Sequence, residues 1–327
     1  MTRQENFRIN DVLELLADGG FHSGQKLGEA LGVSRAAVNQ HVHKLIELGV
    51  DIYSVQGKGY RLAKPIELLQ LHKIASAAKV DPQRIAVKPV VGSTNDEIKN
   101  DLLSVTLNPG YGLFSEAQTA GRGRRGKSWH SPFGSNLYIS IYWPLNEGIN
   151  RAMGLSLAVG IAVAEGLIEL GMEDVGLKWP NDVYVAGHKI AGILVDIESC
   201  YDGSASCVIG IGVNVNMPDS VGQKIDQLWT DVAKQLTGQW SRNEIAGVIY
   251  RHVIEQLTLF SAEGLETMRK RWAELDVFIN RSVKLLMGER IVQGTCRGID
   301  ENGAILIESD NNIVRYFGGE ISLRAAT

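Results

Sequence analysis

Residues 121–129 read GRGRRGKSW, a stretch with three glycines and four cations. No acidic residue occurs between Glu116 and Glu147, so nearby sequence does not neutralise this charge. Glycine lets a backbone turn tightly and approach a ligand closely, and the planar fork of arginine matches phosphate and carboxylate oxygens. We call residues 121–129 the cationic loop. We predict that it is a phosphate-binding loop, mobile when empty and ordered when an anion is bound.

The cationic loop also satisfies the G-x-G-x-x-G pattern of dinucleotide-binding folds, in which a helix opens at the glycines. Here Pro132 and Gly134 follow closely, and they interrupt any helix at this place. The sequence therefore does not favour a Rossmann domain. A solvated basic loop without a ligand remains an alternative at this point.

Length and composition are those of an ordinary globular chain. With 327 residues, 44% of them hydrophobic, it can form two or three domains. The net charge of -4 excludes a protein that covers nucleic acid with an overall basic surface, but it does not exclude a local DNA-binding face. Cys200, Cys207 and Cys296 lack metal-ligand spacing and indicate a reducing compartment. Because the first residues lack a signal peptide and no apolar run can span a bilayer, we expect a soluble cytoplasmic protein.

The first part of the chain carries the pattern of a helix-turn-helix. Apolar residues at helical spacing end at Gly19 and Gly20. Ser23 is a plausible N-cap of a second helix that ends at Gly32, and Ser34 is a plausible N-cap of a third. Two short helices around a tight glycine turn are typical of this DNA-binding unit.

A hairpin wing is predicted after the third helix. Residues 50–55 and 60–62 are candidate strands, joined by the basic turn QGKG at 56–59. Outward polar residues of the third helix and the wing tip suit base edges or phosphates. The predicted DNA-contacting residues are Ser34, Arg35, Asn39, Gln40, His43, Lys44 and Lys58. A helical bundle whose polar face meets water is the alternative. A single domain of this size that contacts only half of a two-fold DNA site binds weakly. We therefore expect the protein to bind DNA as a dimer.

Polar residues open a predicted helix in the central region. Ser93 or Thr94 can cap this helix, with Asp96 or Glu97 completing a capping box. The same hydroxyls, together with Asn95, can instead face a polar ligand, and the two interpretations are compatible. A short connecting helix is predicted at 66–78, and a helical stretch at 243–272.

Three other central positions have a structural and a functional interpretation. Lys189 flanks an apolar strand, where a lysine usually extends to solvent. Gly210 and Gly212 lie in a strand and leave room for a flat group against it.

An ordered set of motifs resembles a known family. The motifs are GSTN at 92–95, Gln118, GRGRRG at 121–126, Trp129, SPFG at 131–134, KWPND at 178–182, KIAGIL at 189–194 and GIGVN at 210–214. Together they closely resemble the biotin–protein ligases. With a winged helix in front, the sequence resembles the bifunctional bacterial ligases that also repress the biotin operon. The resemblance covers nearly the whole chain.

The resemblance implies an α+β multidomain fold. Residues 1–64 would form a winged helix-turn-helix, and residues 276–327 an SH3-like C-terminal barrel. Residues 65–275 would form a mixed α/β catalytic domain of the class II aminoacyl-tRNA synthetase and biotin ligase type. Short candidate strands support the barrel, at 282–286, 291–297, 304–308 and 313–316.

The resemblance also implies a two-step reaction with biotin, ATP and Mg²⁺. Biotin's carboxylate attacks the α-phosphorus of ATP, giving biotinyl-adenylate and pyrophosphate. A lysine of the biotin carboxyl carrier protein of acetyl-CoA carboxylase then attacks the adenylate. The adenylate would also act as corepressor, favouring a homodimer that binds operator DNA of the biotin biosynthesis genes. No membrane partner is expected.

The family's site residues carry over position by position. Ser93, Thr94, Asn95 and Gln118 would hold the ureido head of biotin, and Gly210 and Gly212 would line its tail pocket. Arg122, Gly123, Arg124 and Lys189 would hold the carboxylate and phosphates, with Arg125, Asn181 and Trp229 on the nucleotide side. Beyond these carried-over roles, we predict that Asp182 positions the incoming lysine or acts as its base. No acidic cluster in the sequence identifies ligands for Mg²⁺.

Two rival functions stay open on the sequence. One is a lipoate–protein ligase-like enzyme, which has a similar fold and activates a different acid by the same adenylation reaction. The other is a non-catalytic ligand-sensing transcription factor that keeps only the binding pocket. The GRGRRG loop argues for biotin, and the presence of Arg122, Arg124 and Lys189 argues for catalysis.

Overall fold

The computed structural model describes residues 11–145, 152–199, 205–318 and 321–325. The predictions on the first residues and on Cys200 lie outside these ranges. Within them the strands form three sheets, and no described helix is long and apolar enough to cross a membrane.

The N-terminal region forms the predicted helix-turn-helix. Helix α1 includes residues 11–16, α2 is Gly24–Leu31 and α3 is Arg35–Glu47. Ser23 Oγ accepts a hydrogen bond from the Lys26 N–H, and Ser34 Oγ accepts one from the Ala37 N–H. Gly32 ends α2 in the left-handed conformation, with a φ of 64°. The capping predicted from the sequence is therefore confirmed.

The predicted wing is also present. Strands β1 (Ile52–Val55) and β2 (Gly59–Leu62) pair antiparallel. His22 forms an isolated bridge with Tyr60, which fixes the wing to the start of α2. The wing and the helices thus form one unit.

The winged helix shares its core with the central domain. Its buried apolar residues pack in one cluster with Val90, Ala117 and Phe133. The Phe133 N–H donates to the Leu48 carbonyl at 2.8 Å, just beyond α3. The end of α3 is therefore in direct contact with the segment that follows the cationic loop.

The link between these two regions is extended rather than helical. Helix α4 spans only Leu71–Ala78, so the prediction of a helix from residue 66 is wrong at its start. The Leu69 N–H donates to Glu116 Oε1, and the Gln70 N–H donates to Asn243 Oδ1. Because side chains hold these N–H groups, they are not available to a helix.

Four polar residues, three of them buried, anchor this link. Glu67 accepts hydrogen bonds from the Arg242 N–H and from Asn243 Nδ2. Arg242 Nη2 lies 2.8 Å from Glu116 Oε2, and both side chains are 2% exposed. We call Glu67, Glu116, Arg242 and Asn243 the linker clamp.

The central domain is built on a seven-stranded sheet in the order β3-β4-β5-β9-β8-β7-β6. Its strands are β3 (Ile85–Val91), β4 (Gly112–Gln118), β5 (Leu137–Leu145), β6 (Val175–Lys178), β7 (Asp182–Val185), β8 (His188–Ser199) and β9 (Ala205–Val213). Strands β3 and β4 are parallel, and the other neighbours are antiparallel. The sheet is mixed, as the resemblance implied.

Helices pack on both faces of this sheet. Helix α5 (Thr94–Leu102) covers one face, where Ile98 packs with Leu113. Helices α6 (Ala152–Glu169) and α9 (Arg242–Glu263) pack together on the other, where Phe114 contacts Tyr250. Neighbouring residues of a strand point to opposite faces, so Leu113 and Phe114 separate the two layers.

Three shorter helices complete the domain. They are α7 (Asp219–Gly222), α8 (Val232–Gln235) and α10 (Arg269–Leu275). Helix α9 ends at Gly264, whose φ is 75°. The helical stretch predicted over 243–272 is therefore divided into two α-helices, because Gly264 separates α9 from α10.

The C-terminal region is an antiparallel five-stranded sheet in the order β13-β12-β11-β10-β14. The strands are β10 (Ser282–Met287), β11 (Arg290–Ile299), β12 (Ile305–Ser309), β13 (Asn312–Tyr316) and β14 (Ile321–Ala325). The first four match the predicted strands, and β14 was not predicted. Trp179 Nε1 donates to the Gly303 carbonyl at 3.0 Å, which joins this sheet to the KWPND segment.

Candidate functional site

A pocket lies on the α5 face of the central sheet. Gly210 and Gly212 of β9 line it, whereas the side chain of Ile209, which precedes them in the strand, packs in the core on the other face of the sheet. The start of α5, the cationic loop and strands β7 and β8 form its walls. The pocket thus gathers the motifs that the sequence spreads over more than a hundred residues.

One end of the pocket is a buried polar cluster at the start of α5. Thr94 donates to Gln118 Oε1 through its N–H at 2.9 Å and its hydroxyl at 3.1 Å. Ser140, which the sequence did not single out, donates to Thr94 Oγ1 at 2.7 Å. Ser93, Thr94 and Asn95 are each less than 5% exposed. This end offers fixed donors and acceptors to a compact polar group.

The capping box predicted here is wrong. Ser93 is the N-cap of α5, but its side chain makes no capping hydrogen bond. The Thr94 N–H binds Gln118 instead, and Glu97 pairs with Lys88 at 2.6 Å. A side chain from the end of β4 thus takes over part of the capping of α5.

The two glycines of β9 are required by close packing. A Cβ on Gly210 would lie 2.6 Å from Asn95 Oδ1, and one on Gly212 would collide with the Trp129 indole. The flat group predicted against this strand is, at Gly212, the Trp129 ring. Among the described residues, the buried Trp129 indole N–H has no hydrogen-bond partner. It is a donor suited to a ligand.

The cationic loop is folded by its own backbone. Arg122 and Ser128 form an isolated bridge, and the Gly123 N–H donates to the Lys127 carbonyl at 2.6 Å. Arg125 adopts a left-handed conformation with a φ of 59°. These bonds bring Trp129 over the pocket. Mobility of the loop when empty stays a prediction.

Arg124 points from this loop towards the nucleotide side of the predicted site. Its Nη1 donates to Asn181 Oδ1 at 3.0 Å, and Asn181 Nδ2 donates to the Ile193 carbonyl. Burial lowers the pKa of Arg124, although the Asp182 carboxylate opposes this effect. A largely desolvated guanidinium beside a pocket favours an anionic ligand.

Lys189 does not extend to solvent. Its Nζ lies 2.7 Å from Asp182 Oδ1, and the two side chains are 12% and 17% exposed. It also lies 5.5 Å from the centroid of the Trp129 ring. Strands β7 and β8 thus bring together Lys189 and Asp182, two of the predicted catalytic residues.

Two pocket cations were missed by the sequence reasoning. Lys178 at the end of β6 is 9% exposed and donates to Tyr184 Oη at 3.1 Å. Burial lowers the pKa of Lys178 to about 8, and the nearby Arg324 adds to this effect. The signal for Lys178 was its place as the first residue of the KWPND motif. Arg324 gave no signal, because only the docking of β14 brings it to the pocket.

The side chain of Arg122 is held by acidic residues outside the predicted set. Its guanidinium contacts Asp96 and Asp196 at the rim of the pocket. Its predicted contact with a carboxylate or phosphate of the ligand stays a prediction.

Trp229 lies next to Lys189 without lining the pocket. The two residues form an isolated bridge, and Trp229 Nε1 donates to the Gly222 carbonyl. Lys234 Nζ lies 3.7 Å from the centroid of the Trp229 ring. Stacking of Trp229 near adenine stays a prediction.

No group of three or more His, Cys, Asp or Glu residues able to hold a metal ion occurs in the described ranges. The structure therefore assigns no protein ligands to the Mg²⁺ expected with ATP. A magnesium ion carried by the nucleotide phosphates is compatible with this arrangement.

The candidate DNA-binding face is a separate, exposed surface. Ser34, Arg35, Asn39, Gln40, His43 and Lys58 are exposed, and Lys44 is partly exposed. Asn39 Oδ1 accepts a hydrogen bond from Tyr60 Oη at 2.9 Å, which ties α3 to the wing. The Arg61 guanidinium stacks on the Phe21 ring at 4.8 Å from its centroid. The predicted DNA-contacting residues thus lie on one winged-helix unit.

The fold and the site together define a class of protein. A mixed sheet carries a glycine-floored pocket lined by Arg124, Lys178 and Lys189, which suits a ligand with carboxylate or phosphate groups. A winged helix is attached in front, and an antiparallel sheet follows. The class is an anion-handling enzyme domain joined to a DNA-binding domain.

Comparisons with known proteins identify the family. Residues 87–216 match the Biotin/lipoate A/B protein ligase family, residues 8–61 an HTH domain, and residues 278–324 the Biotin protein ligase C terminal domain. The bifunctional ligase/repressor BirA of Escherichia coli (strain K12) is 45% identical over 96% of this chain and 97% of its own length. BirA of Bacillus subtilis (strain 168) is 29% identical over 96% and 98%.

A solved structure agrees with these matches. The biotin protein ligase from Aquifex aeolicus, in complex with biotin and ATP, matches with a TM-score of 0.62 and 28% identity. The match covers 74% of this chain and 99% of that one. This chain belongs to the biotin protein ligase family, among the bifunctional ligase/repressors. The resemblance and the fold class predicted from the sequence are confirmed.

Proposed function

We propose that this chain is a biotin–protein ligase that converts biotin and ATP to biotinyl-5'-AMP and pyrophosphate, and then transfers biotin to a lysine of the biotin carboxyl carrier protein of acetyl-CoA carboxylase. The proposal includes a cytoplasmic location. The observation that carries it is the placement of Arg124 and Lys189 around a glycine-floored pocket, in a chain 45% identical to a bifunctional ligase/repressor.

In the first step, the pocket binds and orients biotin. Ser93, Thr94, Asn95 and Gln118 hold the ureido head, since they lie together at one end of the pocket. There Gln118 accepts from Thr94, and Ser140 donates to Thr94 and Asn95. The tail lies along Gly210 and Gly212. Holding the acid in one orientation brings its carboxylate to the phosphate at low entropic cost.

Activation of biotin requires stabilisation of charge at the α-phosphate. Arg124 and Lys189 supply fixed positive charge there, and Arg122, Gly123 and Arg125 shape the loop around it. Asn181 orients Arg124, and Trp229 contributes on the adenine side. Magnesium supplied with ATP would neutralise charge on the phosphates.

In the second step, the carrier lysine attacks the biotinyl carbonyl and AMP leaves. Asp182 lies within the same pocket wall and positions this amine or accepts its proton. Its ion pair with Lys189 gives it a further role in orienting that ammonium group. Trp129 over the pocket excludes water and protects the mixed anhydride from hydrolysis.

The second proposed activity is repression of the biotin biosynthesis genes. Its basis is the exposed face of the winged helix together with the contact between the end of α3 and Phe133. We propose that biotinyl-5'-AMP acts as corepressor by favouring a homodimer, in which two winged helices span a two-fold operator. Sedimentation velocity with and without biotinyl-5'-AMP tests the dimer. An unchanged monomer would contradict it.

The ligase activity is tested by ATP-dependent biotinylation of a carrier-protein fragment, with pyrophosphate release measured for biotin and for lipoate. Biotin is expected to be the better substrate. Preference for lipoate would support the lipoate–protein ligase alternative. Binding of biotin without pyrophosphate release or transfer would support a non-catalytic sensor.

The repressor activity is tested by gel shift on the biotin operator. Lys44→Ala and Lys58→Ala are each expected to weaken binding through the loss of one phosphate contact. Each should also reduce the slope of the logarithm of the binding constant against the logarithm of salt concentration by about 1 in magnitude. Equal operator affinity with and without biotinyl-5'-AMP would exclude its role as corepressor.

A further inference from the structure

The Arg122 side chain is engaged by the protein's own carboxylates. Nη1 lies 2.7 Å from Asp96 Oδ2, and Nη2 lies 2.7 Å from Asp96 Oδ1. Nη2 also lies 3.1 Å from Asp196 Oδ2. This is a bidentate, charge-assisted contact extended by a second carboxylate, the geometry for which arginine is best suited.

A second cation supports the same carboxylates. Lys99 Nζ lies 2.9 Å from Asp196 Oδ2 and 3.4 Å from Glu198 Oε1. Asp196 also accepts a hydrogen bond from Asn95 Nδ2 at 3.2 Å. Asp196 is therefore linked to the biotin end of the pocket, whereas Asp96 faces the loop and Lys99.

These contacts join three elements that the backbone leaves separate. Arg122 belongs to the cationic loop, Asp96 and Lys99 to α5, and Asp196 to β8. The neighbouring Arg124 points the other way, towards Asn181. Arg122 and Arg124 thus divide their tasks, since Arg124 faces the pocket and Arg122 faces its rim.

We propose that Asp96 and Asp196 form a carboxylate latch that fastens the cationic loop over the pocket through Arg122, and that this latch controls how long the activated acid is retained. Asp96 is a positioning residue in this proposal, because it acts through Arg122. The part on retention rests on the proposed function, whereas the fastening of the loop does not.

The strength of the latch fits a reversible closure. The Arg122 and Asp96 side chains are each 42% exposed, so solvent and salt screen their interaction. The hydrogen bond to Asp96 raises the pKa of Arg122, which keeps the guanidinium charged. A contact of this kind changes an opening equilibrium by about fivefold, rather than locking the loop permanently.

The adjacent residue on α5 provides a matched control. Glu97 forms an ion pair with Lys88 at 2.6 Å, with side chains 32% and 38% exposed, and Lys88 lies on β3 rather than on the loop. Asp96→Asn and Glu97→Gln therefore remove the same charge from the same helix, but only the first opens the latch.

The first experiment measures release of preformed biotinyl-adenylate from the full-length chain in a chase. At low salt Asp96→Asn is expected to release it about fivefold faster than the wild type, and Glu97→Gln at the wild-type rate. At about 1 M salt the difference should shrink, because charges are screened within about 3 Å. Asp96→Glu should restore slow release in part. Equal release from Asp96→Asn and Glu97→Gln would overturn the role in retention.

The second experiment needs no ligand. Trypsin cleavage after Arg124, Arg125 and Lys127 reports opening of the loop, and Asp96→Asn is expected to be cut about fivefold faster than Glu97→Gln. Equal cleavage would overturn the latch itself. If the wild type formed no adenylate, the proposed function would fail, and cleavage would still decide whether the latch exists.

Discussion

The linker clamp and the carboxylate latch use the same chemistry at very different exposure. In the clamp, Arg242 and Glu116 are each 2% exposed, and Arg242 also donates to two backbone carbonyls. In the latch, Arg122 and Asp96 are each 42% exposed. Both sets join segments distant in sequence, but only the clamp is shielded from water.

This difference separates a permanent contact from a switchable one. Removing one partner of a buried pair leaves an uncompensated charge, which is strongly destabilising. Removing one partner of an exposed pair lets water solvate the other at little cost. The clamp therefore supports the fold, and the latch is suited to a loop that must open for the substrate and the carrier protein.

The largest expected effect is on the clamp. Arg242→Met should lower the free energy of unfolding by about 3–5 kcal/mol, because Glu116 is left buried without its cation. Arg251 on the same helix pairs with the half-exposed Glu169 and serves as the control. Arg251→Met should cost no more than about 1 kcal/mol in the same urea titration. Similar losses in the free energy of unfolding for the two variants would contradict the distinction between the buried and the exposed ion pair.

The next effect concerns a partly buried cation that is predicted to bind the ligand rather than to support the fold. Arg124→Ala should slow biotin-dependent pyrophosphate release by about 100-fold and weaken adenylate retention. The fold should stay intact, since Arg124 bonds to a neutral Asn181 side chain. Circular dichroism melts check this second part. Gross unfolding would show that Arg124 belongs with the clamp.

The pH dependence of folding stability tests whether burial of the Lys178 charge destabilises the fold. Burial lowers its pKa to about 8, below the ordinary value of 10.5. The unfolded chain therefore binds more protons between these two values, and this group makes stability rise with pH across that window. Lys178→Met should be more stable than the wild type at pH 7, by on the order of 1–3 kcal/mol. The gain should disappear by about pH 10.5, and a gain independent of pH would contradict the assignment.

The smallest expected effect on stability is that of the latch. Asp96→Asn should change the free energy of unfolding by less than about 1 kcal/mol, because both partners are largely solvated. Thermal denaturation at low and high salt measures it. A loss as large as that of Arg242→Met would make Asp96 a structural residue rather than a latch.

Local signals in the sequence predicted much of the fold. Ser23 and Ser34 cap their helices as expected, because a cap depends on residues within one turn. Predictions failed where a distant side chain replaced a local partner. Gln118 takes the Thr94 N–H, and Glu116 takes the Leu69 N–H that a longer helix would have used. Within the helical stretch predicted over 243–272, Gly264 ends α9.

For the candidate site too, residues in local motifs were predicted and residues placed by distant contacts were missed. The motifs identified Thr94, Gln118, Arg124, Lys189 and Gly212, and the structure brings these residues to one pocket. Their individual roles remain proposals. Ser140 and Arg324 were missed, since neither belongs to a motif. Ser140 contacts Thr94 because β5 lies beside β4 and β9, and Arg324 reaches the pocket only through the docking of β14.

The sequence by itself determined the helix-turn-helix, the glycine positions and the family, because caps, turns and ordered motifs are local. Only the tertiary structure decided which carboxylate each cation meets. Arg122 and Asp96 are 26 residues apart, and Arg242 and Glu116 are 126 apart. Charge can be read from a sequence, but the exposure that sets the strength of an ion pair arises only when distant segments pack around it.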